Sequence, residues 1–290
     1  MKVCGFTFIR NALKYDYPIV EAITSILPIC DLFIVAVGQS HDGTLALIQS
    51  IADPKIQILH TTWDDTLKEG GKVLAAETDK ALRQIPPDYD WAFYIQGDEV
   101  VHEQYLPLAF AAMQRHKDDP TVDGLLFAYQ HFYGSYSYIG NAARWYRHEI
   151  RIIRPRPDIF SYRDAQGFRK QPNQKLRVRS SGATVYHYGW VRPPATMLAK
   201  VQDFDKLWHG EPSTQLASPA SDFDYSQVDS LALFTGTHPL VMQPRVAQKN
   251  WTFDHDISIR RLRLKDRLKH FARKYLGLSI GEYKNYVLLK

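Results

Sequence analysis

The sequence predicts an α/β fold in which a mixed, mainly parallel β-sheet is flanked by helices. Three short apolar runs, typical of strands buried on both faces, support this prediction: DLFIVAVG (31–38), KIQILHT (55–61) and WAFYIQG (91–97). Segments with the apolar spacing of helices separate these runs. Such alternation is typical of parallel sheets with right-handed crossovers, which bind ligands outside the carboxyl ends of their strands.

The elements of the first half follow in order along the chain. MKVCGFTFIRNA reads as a first strand, because it lacks the apolar core and cleavage site of a secretory signal. DYPIVEAITSIL has Pro18 in its first turn, where a helix tolerates proline. Asp42 is placed to cap the helix DGTLALIQSIA, and GGKVLAAETDKALRQI is a third helix. The strand after it ends at Gln96-Gly97-Asp98.

Beyond Pro120 the pattern changes to longer, partly antiparallel strands. They are predicted in VDGLLFAYQHFYG, RHEIRIIRP and ATVYHYGWVR, with a helix from about 194 to 209. NAARWYRH and DIFSYRDAQGFRKQPNQK have the composition of aromatic and basic loops. The order of elements therefore predicts a parallel first half and a more antiparallel second half.

Composition limits the class of protein. The chain has 290 residues, 45% of them hydrophobic, which suits one large domain or two small ones. Its two cysteines, Cys4 and Cys30, are too few for a disulfide framework and favour a reducing compartment. No run approaches the roughly 18 apolar residues of a membrane span, so we expect a cytoplasmic protein. The net charge of +5 favours a polyanionic partner: nucleic acid, a phosphorylated substrate or an acidic membrane surface.

Two motifs in the first half resemble those of family 2 glycosyltransferases with the GT-A fold. Ser40-His41-Asp42-Gly43-Thr44 matches the family's Ser-x-Asp-Gly-Thr, and Asp98-Glu99 matches the end of its Asp-x-Asp motif. The resemblance covers roughly residues 1–115. It implies a Rossmann-like nucleotide-diphospho-sugar transferase that moves a sugar to a saccharide or lipid-linked acceptor with inversion. It also implies one catalytic domain over 1–250, with a nucleotide-sugar half (1–115) and an acceptor half (116–250).

The sequence departs from the family pattern at two positions. Val37 stands where the family commonly has an Asp that contacts the donor's base. Gln96 replaces the first carboxylate of Asp-x-Asp, which removes one metal-binding group. QGDEVVHE resembles a branch of the superfamily in which Gln is usual at this place, so the resemblance does not imply an inactive protein.

Asp98 is the predicted ligand of a divalent metal, Mn²⁺ or Mg²⁺, which would stabilise a diphosphate leaving group. The resemblance implies a second ligand from a late strand, and His187 in VYHYGWVR is the candidate. Gln96 is expected to bind the donor ribose, a metal-bound water or the metal itself. His102 and Glu103 are alternative ligands, although they are also placed to open the next helix.

The donor is expected to lie across the carboxyl ends of the strands. The candidate donor-binding residues follow successive strands and the diglycine turn: Phe8, Arg10, Asn11, Gly38, Gln39, Asp42, Lys72, Gln96, Gly97 and Asp98. Glu149 and Asp164 are the candidates for the base that deprotonates the acceptor. Glu149 could equally belong to a solvated strand face.

Two basic segments favour anionic partners. From Arg144 to Arg179, aromatic residues alternate with arginines, which suits either an anionic acceptor or a surface over buried aromatics. In the predicted C-terminal extension (251–290), a basic helix has an apolar face of Leu264, Leu268, Phe271 and Tyr275. That helix could rest on an anionic membrane or dock on the protein body.

Three other functions fit parts of the sequence. A nucleotidyltransferase shares the fold but needs glycines after the first strand, which FIRNALKYD lacks. A nucleic-acid binder would use the basic aromatic segment, yet no recognition motif is present and we expect no nucleic-acid partner. Val37 and Gln96 also fit a glycosyltransferase-like protein that has lost catalysis.

Overall fold

The computed structural model describes residues 1–64, 66–67, 69–209, 222–259, 261 and 283–290. The strands are β1 (Val3–Ile9), β2 (Leu32–Gly38), β3 (Ile56–Thr61), β4 (Trp91–Tyr94), β5 (Glu99–Val101), β6 (Gly124–Tyr133), β7 (Ser135–Gly140), β8 (His148–Ile153), β9 (Ile159–Tyr162), β10 (Gly167–Lys170), β11 (Gln174–Trp190), β12 (Leu231–Leu233) and β13 (Tyr286–Leu288). The helices are α1 (Ile19–Ile26), α2 (Thr44–Gln49), α3 (Lys72–Leu82), α4 (Leu106–His116), α5 (Pro194–His209) and α6 (Gln243–Ala247).

The strands form one mixed sheet with the order β3-β2-β1-β4-β8-β6-β11-β10-β9. Its first four strands are parallel to one another. β8 is antiparallel to both β4 and β6, and β11 runs parallel to β6. The predicted α/β class, a sheet flanked by helices, is confirmed. The parallel pairings lie mostly in the first half, as the sequence predicted.

Alternating side chains of the central strands face two separate cores. In β2, Phe33 and Val35 pack with α1 and α4, whereas Ile34 and Ala36 pack with α3. This explains why the strand reads as a continuous apolar run, since helices cover both of its faces. The predicted stripe of α1 is buried along its length: Ile19, Ile23, Ile26 and Leu27.

The structure corrects several sequence-based boundaries. The strand predicted over 91–97 ends at Tyr94, and Glu99 begins the separate strand β5. The segment predicted as the loop DIFSYRDAQGFRKQPNQK contains β9 and β10, and ATVYHYGWVR is the end of the 17-residue β11. The Arg151 and Glu149 side chains are buried, so the solvated-face interpretation of RHEIRII is wrong.

The strand order identifies one edge of the sheet as the expected ligand site. β1 lies between β2 and β4, so the strand order reverses between β1 and β4. A crevice at the carboxyl ends of such strands is where open α/β sheets bind ligands. The direction of β11 is the same as that of β4, through β8 and β6, so its carboxyl end lies at this edge too.

The C-terminal part of the chain is described only in part. β13 pairs with β11, so the end of the predicted extension joins the main sheet. The basic-helix residues Leu264, Leu268, Phe271 and Tyr275 lie outside the described residues. The division at residue 250 stays a prediction. Among the described helices, none combines the length and apolar character that a membrane crossing requires.

Candidate functional site

Glu99 holds the turn between β4 and β5 in place. Its carboxylate accepts two hydrogen bonds from Arg151, at 2.8 and 2.7 Å, and one from the Tyr129 hydroxyl at 2.7 Å. It also accepts the backbone N–H of Gln96 at 3.1 Å. Glu99 and Arg151 are both buried. The acid after Asp98 is therefore the anchor of the turn rather than a side chain that faces a ligand.

The structure gives a reason for an amide at position 96. Gln96 Nε2 donates a hydrogen bond of 3.0 Å to the carbonyl oxygen of Ala165. A carboxylate cannot donate this bond, and two oxygens would face each other there. Gln96 thereby ties the turn that carries Asp98 to the turn at 163–166.

Asp98 lies at the carboxyl end of β4 with a different partner on each oxygen. Lys200 Nζ donates a hydrogen bond of 3.1 Å to Oδ2, and His187 Nε2 lies 3.7 Å from Oδ1. Burial opposes ionisation of Asp98, but the positive charges of Lys200 and Arg192 hold its pKa well below the usual range. Asp98 is therefore a carboxylate at all pH values near neutrality.

A hydrogen-bonded pair of imidazoles fixes the orientation of His187. His131 Nε2 lies 2.6 Å from the carbonyl oxygen of Tyr146, so this nitrogen carries the proton. Burial and the nearby His187 lower the pKa of His131 to about 3, so its Nδ1 is an acceptor. His187 Nδ1 lies 2.9 Å from that acceptor and must donate. Burial also lowers the pKa of His187, which leaves a lone pair on Nε2, the nitrogen facing Asp98.

Asp98 and His187 fit a divalent metal as two of its ligands. A Cβ at Gly189 would lie 2.5 Å from His187 Nε2 and 3.1 Å from Asp98 Oδ2, so the glycine keeps a small space open between them. Metal-bound histidines usually donate their other ring N–H to a fixed acceptor, as His187 does to His131. Within the described ranges, no group of three His, Cys, Asp or Glu side chains is gathered for a metal. Phosphate oxygens or waters would complete the shell.

Sequence reasoning missed two cations beside Asp98. Arg192 follows β11, and Lys200 lies on α5, where its Nζ also donates to the carbonyl of Gly189 at 3.1 Å. Both cations lie over the Tyr17 ring, with Arg192 Cζ 4.9 Å and Lys200 Nζ 5.0 Å from the ring centroid. Arg192 could have been predicted, because it comes two residues after the strand that carries His187. Lys200 gave no signal, because a lone lysine on a helix is ordinary.

Contacts between the first loop and α5 hold Lys200 at the site. Asp203, one turn after Lys200, accepts hydrogen bonds of 2.7 Å from both the Tyr15 hydroxyl and Lys14 Nζ. The same loop is held from behind by Arg245, which binds Asp16 at 2.6 Å. The loop after β1 and helix α5 therefore form one connected side of the site.

An aromatic side chain that the sequence did not single out covers the ends of β1 and β2. The Trp63 ring lies 5.8 Å from that of Phe8 and 5.2 Å from the Arg10 guanidinium. A Cβ at Gly38 would lie 2.4 Å from Trp63 Nε1, so only glycine allows this approach. Three of the predicted donor residues, Phe8, Arg10 and Gly38, thus meet around Trp63.

The remaining predicted donor residues lie in the connecting loops. Asn11 accepts the N–H of His41 at 3.2 Å, which joins the loops after β1 and β2. Asp42 accepts N–H groups of Lys14 at 2.7 Å and Thr44 at 3.2 Å. The N-cap residue of α2 is Gly43, so Asp42 lies one residue before the predicted cap position and holds the turn that leads into the helix. Gln39 is exposed just beyond β2, and Lys72 is exposed at the start of α3.

The two candidate bases differ in access. Glu149 is 7% exposed, and its Oε2 has no hydrogen-bond partner among the described residues. Burial, with the charges of Glu99 and Asp164 and against that of Arg151, raises the pKa of Glu149 to about 8. Asp164 is half-buried, which raises its pKa as well. It lies between Arg163 and Ala165, whose φ angles of 57° and 63° are rare for non-glycine residues.

Much of the basic segment is used inside the protein. Arg151 pairs with Glu99, Arg154 donates to the carbonyls of residues 116 and 117 at 2.7 and 2.6 Å, and Arg169 binds Asn285.

The alternative metal ligands His102 and Glu103 have other contacts. His102 Nε2 lies 2.9 Å from Thr237 Oγ1, and Glu103 accepts the N–H of residue 240 at 3.1 Å. These side chains therefore serve structural contacts in this fold.

No family model and no curated protein matches the chain. Among solved structures, it is similar to S. aureus TarS, with 15% identity over 70% of this chain and 39% of that chain, at a TM-score of 0.41. It is also similar to TarS 1-349 in complex with UDP, with 14% identity over 71% and 65% of the two chains and a TM-score of 0.41. A third is glucosyl-3-phosphoglycerate synthase from Mycobacterium tuberculosis in complex with Mn²⁺, UDP and phosphoglyceric acid, with 16% identity, 46% and 43% coverage and a TM-score of 0.30. The chain spans less than two thirds of the length of these proteins.

Proposed function

We propose that the protein is a glycosyltransferase that moves a sugar from a nucleotide-sugar donor to a saccharide or lipid-linked acceptor. The convergence of Asp98, His187 and Lys200 at the carboxyl ends of β4 and β11 is the observation that supports this most strongly. One ionised carboxylate, one imidazole lone pair and one ammonium suit the binding of a diphosphate together with its cation. The motif Ser40–Thr44, which follows β2 at the same edge of the sheet, supports the same assignment.

The residues around Trp63 are proposed to bind the nucleoside. Phe8 and Trp63 offer aromatic faces, and the Arg10 guanidinium is held against the indole ring. A nucleotide that crosses from this cluster to Asp98 would follow the ends of β2, β1 and β4 in turn. A divalent cation held by Asp98 and His187 would act as a Lewis acid on the diphosphate.

Asp164 is the proposed base for an inverting transfer. The hydrogen bond from Gln96 places the 163–166 turn next to the turn that carries Asp98, and Asp164 is the more accessible carboxylate of the two candidates. It would accept the proton of the acceptor hydroxyl while that oxygen attacks the sugar. Glu149, buried and with a pKa of about 8, is mostly protonated at neutral pH and suits that task less.

The proposal is tested by donor hydrolysis and binding. The full chain is mixed with Mn²⁺ and each of several nucleotide sugars, and release of nucleoside diphosphate is measured. The wild-type protein should slowly release the nucleoside diphosphate from at least one nucleotide sugar. Asp98→Asn should reduce that rate at least about a hundredfold. Failure of every nucleoside diphosphate to bind, with and without Mn²⁺, contradicts the proposal.

A further inference from the structure

The cluster of Asp98, Arg192 and Lys200 contains two cations and one carboxylate. Lys200 already pairs with Asp98 at 3.1 Å. Arg192 is 0% exposed, and none of its three guanidinium nitrogens has a hydrogen-bond partner among the described residues. Arg192 Cζ lies 4.9 Å from the centroid of the Tyr17 ring, and the Tyr17 hydroxyl beside it forms no hydrogen bond of normal geometry with the guanidinium. The cluster therefore has an excess positive charge in a buried place.

An arginine whose N–H groups have no hydrogen-bond acceptor is costly in such a place, even when an aromatic ring lies against it. A buried charge is normally paired and hydrogen-bonded, since its desolvation is not otherwise offset. Arg151 is buried to the same degree, but its guanidinium group has hydrogen-bond acceptors. It makes two bonds to Glu99 and donates to the carbonyls of residues 150 and 166 at 3.0 Å each. The contrast indicates that the partner of Arg192 is a ligand.

The position of the cluster identifies the chemistry of that ligand. Arg192 follows the strand that carries His187, and α5 begins two residues later, so the positive end of the helix dipole adds to the local potential. The side chains of Lys200 and Asp98 are 14% and 12% exposed, so an incoming group meets their ion pair first. A compact anion with several charges fits this place, and a neutral or cationic ligand does not.

We propose that Arg192 and Lys200 form a binding site for the diphosphate of the donor, beside the proposed cation site, and that this pair binds the diphosphate even when no divalent cation is present. This inference rests on the proposed function. It names the groups that stabilise the negative charge on the leaving diphosphate. Guanidinium binds phosphate oxygens in pairs, and ammonium binds them as a point charge. Lys200 moves from Asp98 Oδ2 to a phosphate oxygen, which frees that carboxylate oxygen.

The two cations then act on the bond that breaks. The bond between the anomeric carbon and the diphosphate oxygen breaks, and its electron pair stays on that oxygen. The acceptor oxygen forms the new bond to the anomeric carbon, and its proton passes to Asp164. Arg192 and Lys200 face the oxygen atoms on which negative charge grows, where fixed cations in a buried site are most effective.

Binding of inorganic pyrophosphate in EDTA tests this site without assuming a base or a sugar. Calorimetric titration of the full chain should show binding of pyrophosphate, and weaker binding of orthophosphate. Arg192→Met and Lys200→Met should each lose at least about tenfold in pyrophosphate affinity, since each removes charge-assisted hydrogen bonds. Lys206→Met is the matched control, because Lys206 is an exposed lysine on the same helix that pairs with Asp203. The pyrophosphate affinity of the Lys206→Met variant should equal that of the wild-type protein.

Thermal unfolding separates a binding role from a structural one. Arg192→Met leaves the balanced pair of Asp98 and Lys200, so its Tm without ligand should equal or exceed that of wild type. Unchanged pyrophosphate affinity in Arg192→Met, or no binding by wild type in EDTA, overturns the inference. If Arg192→Met does not fold, unchanged affinity in Lys200→Gln overturns it instead.

The two proposals fail in different ways. Turnover of a nucleotide sugar with Mn²⁺, combined with pyrophosphate binding that ignores Arg192, leaves the glycosyltransferase proposal standing and removes this site. Pyrophosphate binding that depends on Arg192, combined with no binding of any nucleoside diphosphate, keeps an anion site and removes the proposed function.

Discussion

At the scale of single residues, Gly189 is the position where the smallest change should affect metal binding. Gly189→Ala places a methyl group 2.5 Å from His187 Nε2, and His131 prevents the ring from turning away. We expect at least about a tenfold loss of Mn²⁺ affinity and a destabilisation of roughly 1–3 kcal/mol from overpacking. Electron paramagnetic resonance of free Mn²⁺ measures the affinity, and urea unfolding measures the stability.

A double-mutant cycle with His187→Ala provides the control for Gly189. If the methyl group acts through the imidazole, the double variant should bind Mn²⁺ no more weakly than His187→Ala alone. Additive losses would mean that the glycine acts elsewhere in the fold.

Gln96 is the second residue with a sharp expectation. Gln96→Glu replaces the donor to the Ala165 carbonyl by a carboxylate and leaves that bond unmade. We expect a loss of roughly 1–3 kcal/mol of stability, together with faster hydrogen exchange in the 163–166 turn. Stability equal to wild type would show that the amide is dispensable, and that the chain could carry the two-carboxylate pattern.

The structure brings together some of the residues that the sequence singled out, and their roles as ligands stay predictions. Asp98 and His187 lie 3.7 Å apart, because Asp98 follows β4 and His187 lies near the carboxyl end of β11, which runs in the same direction. Lys200 and Trp63 were not predictable, since each reaches the site through a contact that local sequence does not encode. The anchoring role of Glu99 could not be predicted from the motif, because its partner Arg151 lies 52 residues away.

At the scale of elements, the pair of Glu99 and Arg151 joins β5 to β8. Both side chains are at most 1% exposed, so removing one partner leaves an unpaired buried charge. Arg151→Met should therefore destabilise the fold by roughly 3–5 kcal/mol, as measured by urea unfolding. The double variant Glu99→Gln/Arg151→Met should recover part of this loss. A loss in the double variant equal to or larger than that of Arg151→Met would contradict the pairing.

Element prediction succeeded where one pattern dominated. β2 and β3 were located within one residue, because continuous apolar runs bounded by turns have few alternatives. β9 and β10 were missed, because arginines and aromatics in four-residue strands resemble a loop. β10 pairs with β9 on one side and with β11 on the other, and these partners cannot be recognised from the short segments themselves.

At the scale of the whole molecule, two buried groups should shape how stability changes with pH. The pKa of Glu149 is raised from 4.5 to about 8, so the folded state binds the extra proton between these values. The contribution of Glu149 to the free energy of unfolding is fully present below pH 4.5. That contribution decreases as the pH rises from 4.5 towards 8. Relative to Glu149→Gln, wild type should lose up to about 1.4 kcal/mol per pH unit in this window.

Lys200 acts in the opposite direction and in a higher window. Burial and Arg192, against the attraction of Asp98, lower its pKa from 10.5 to about 8. The unfolded chain then binds the extra proton between pH 8 and 10.5, so stability rises with pH there. Urea unfolding of wild type against Lys200→Met across pH 8–10.5 should show this gain. A flat difference would mean that Lys200 is not buried as described.

The link between the first loop and α5 also bears on how the protein folds. Tyr15 and Asp203 are 188 residues apart, and Asp98 and Lys200 are 102 residues apart. Contacts that close such long segments form late, because the chain must lose much entropy before they form. After dilution from urea, recovery of pyrophosphate binding should therefore lag behind recovery of helical circular dichroism. A newly made chain would pass through a stage in which helices are present but the ligand site is not.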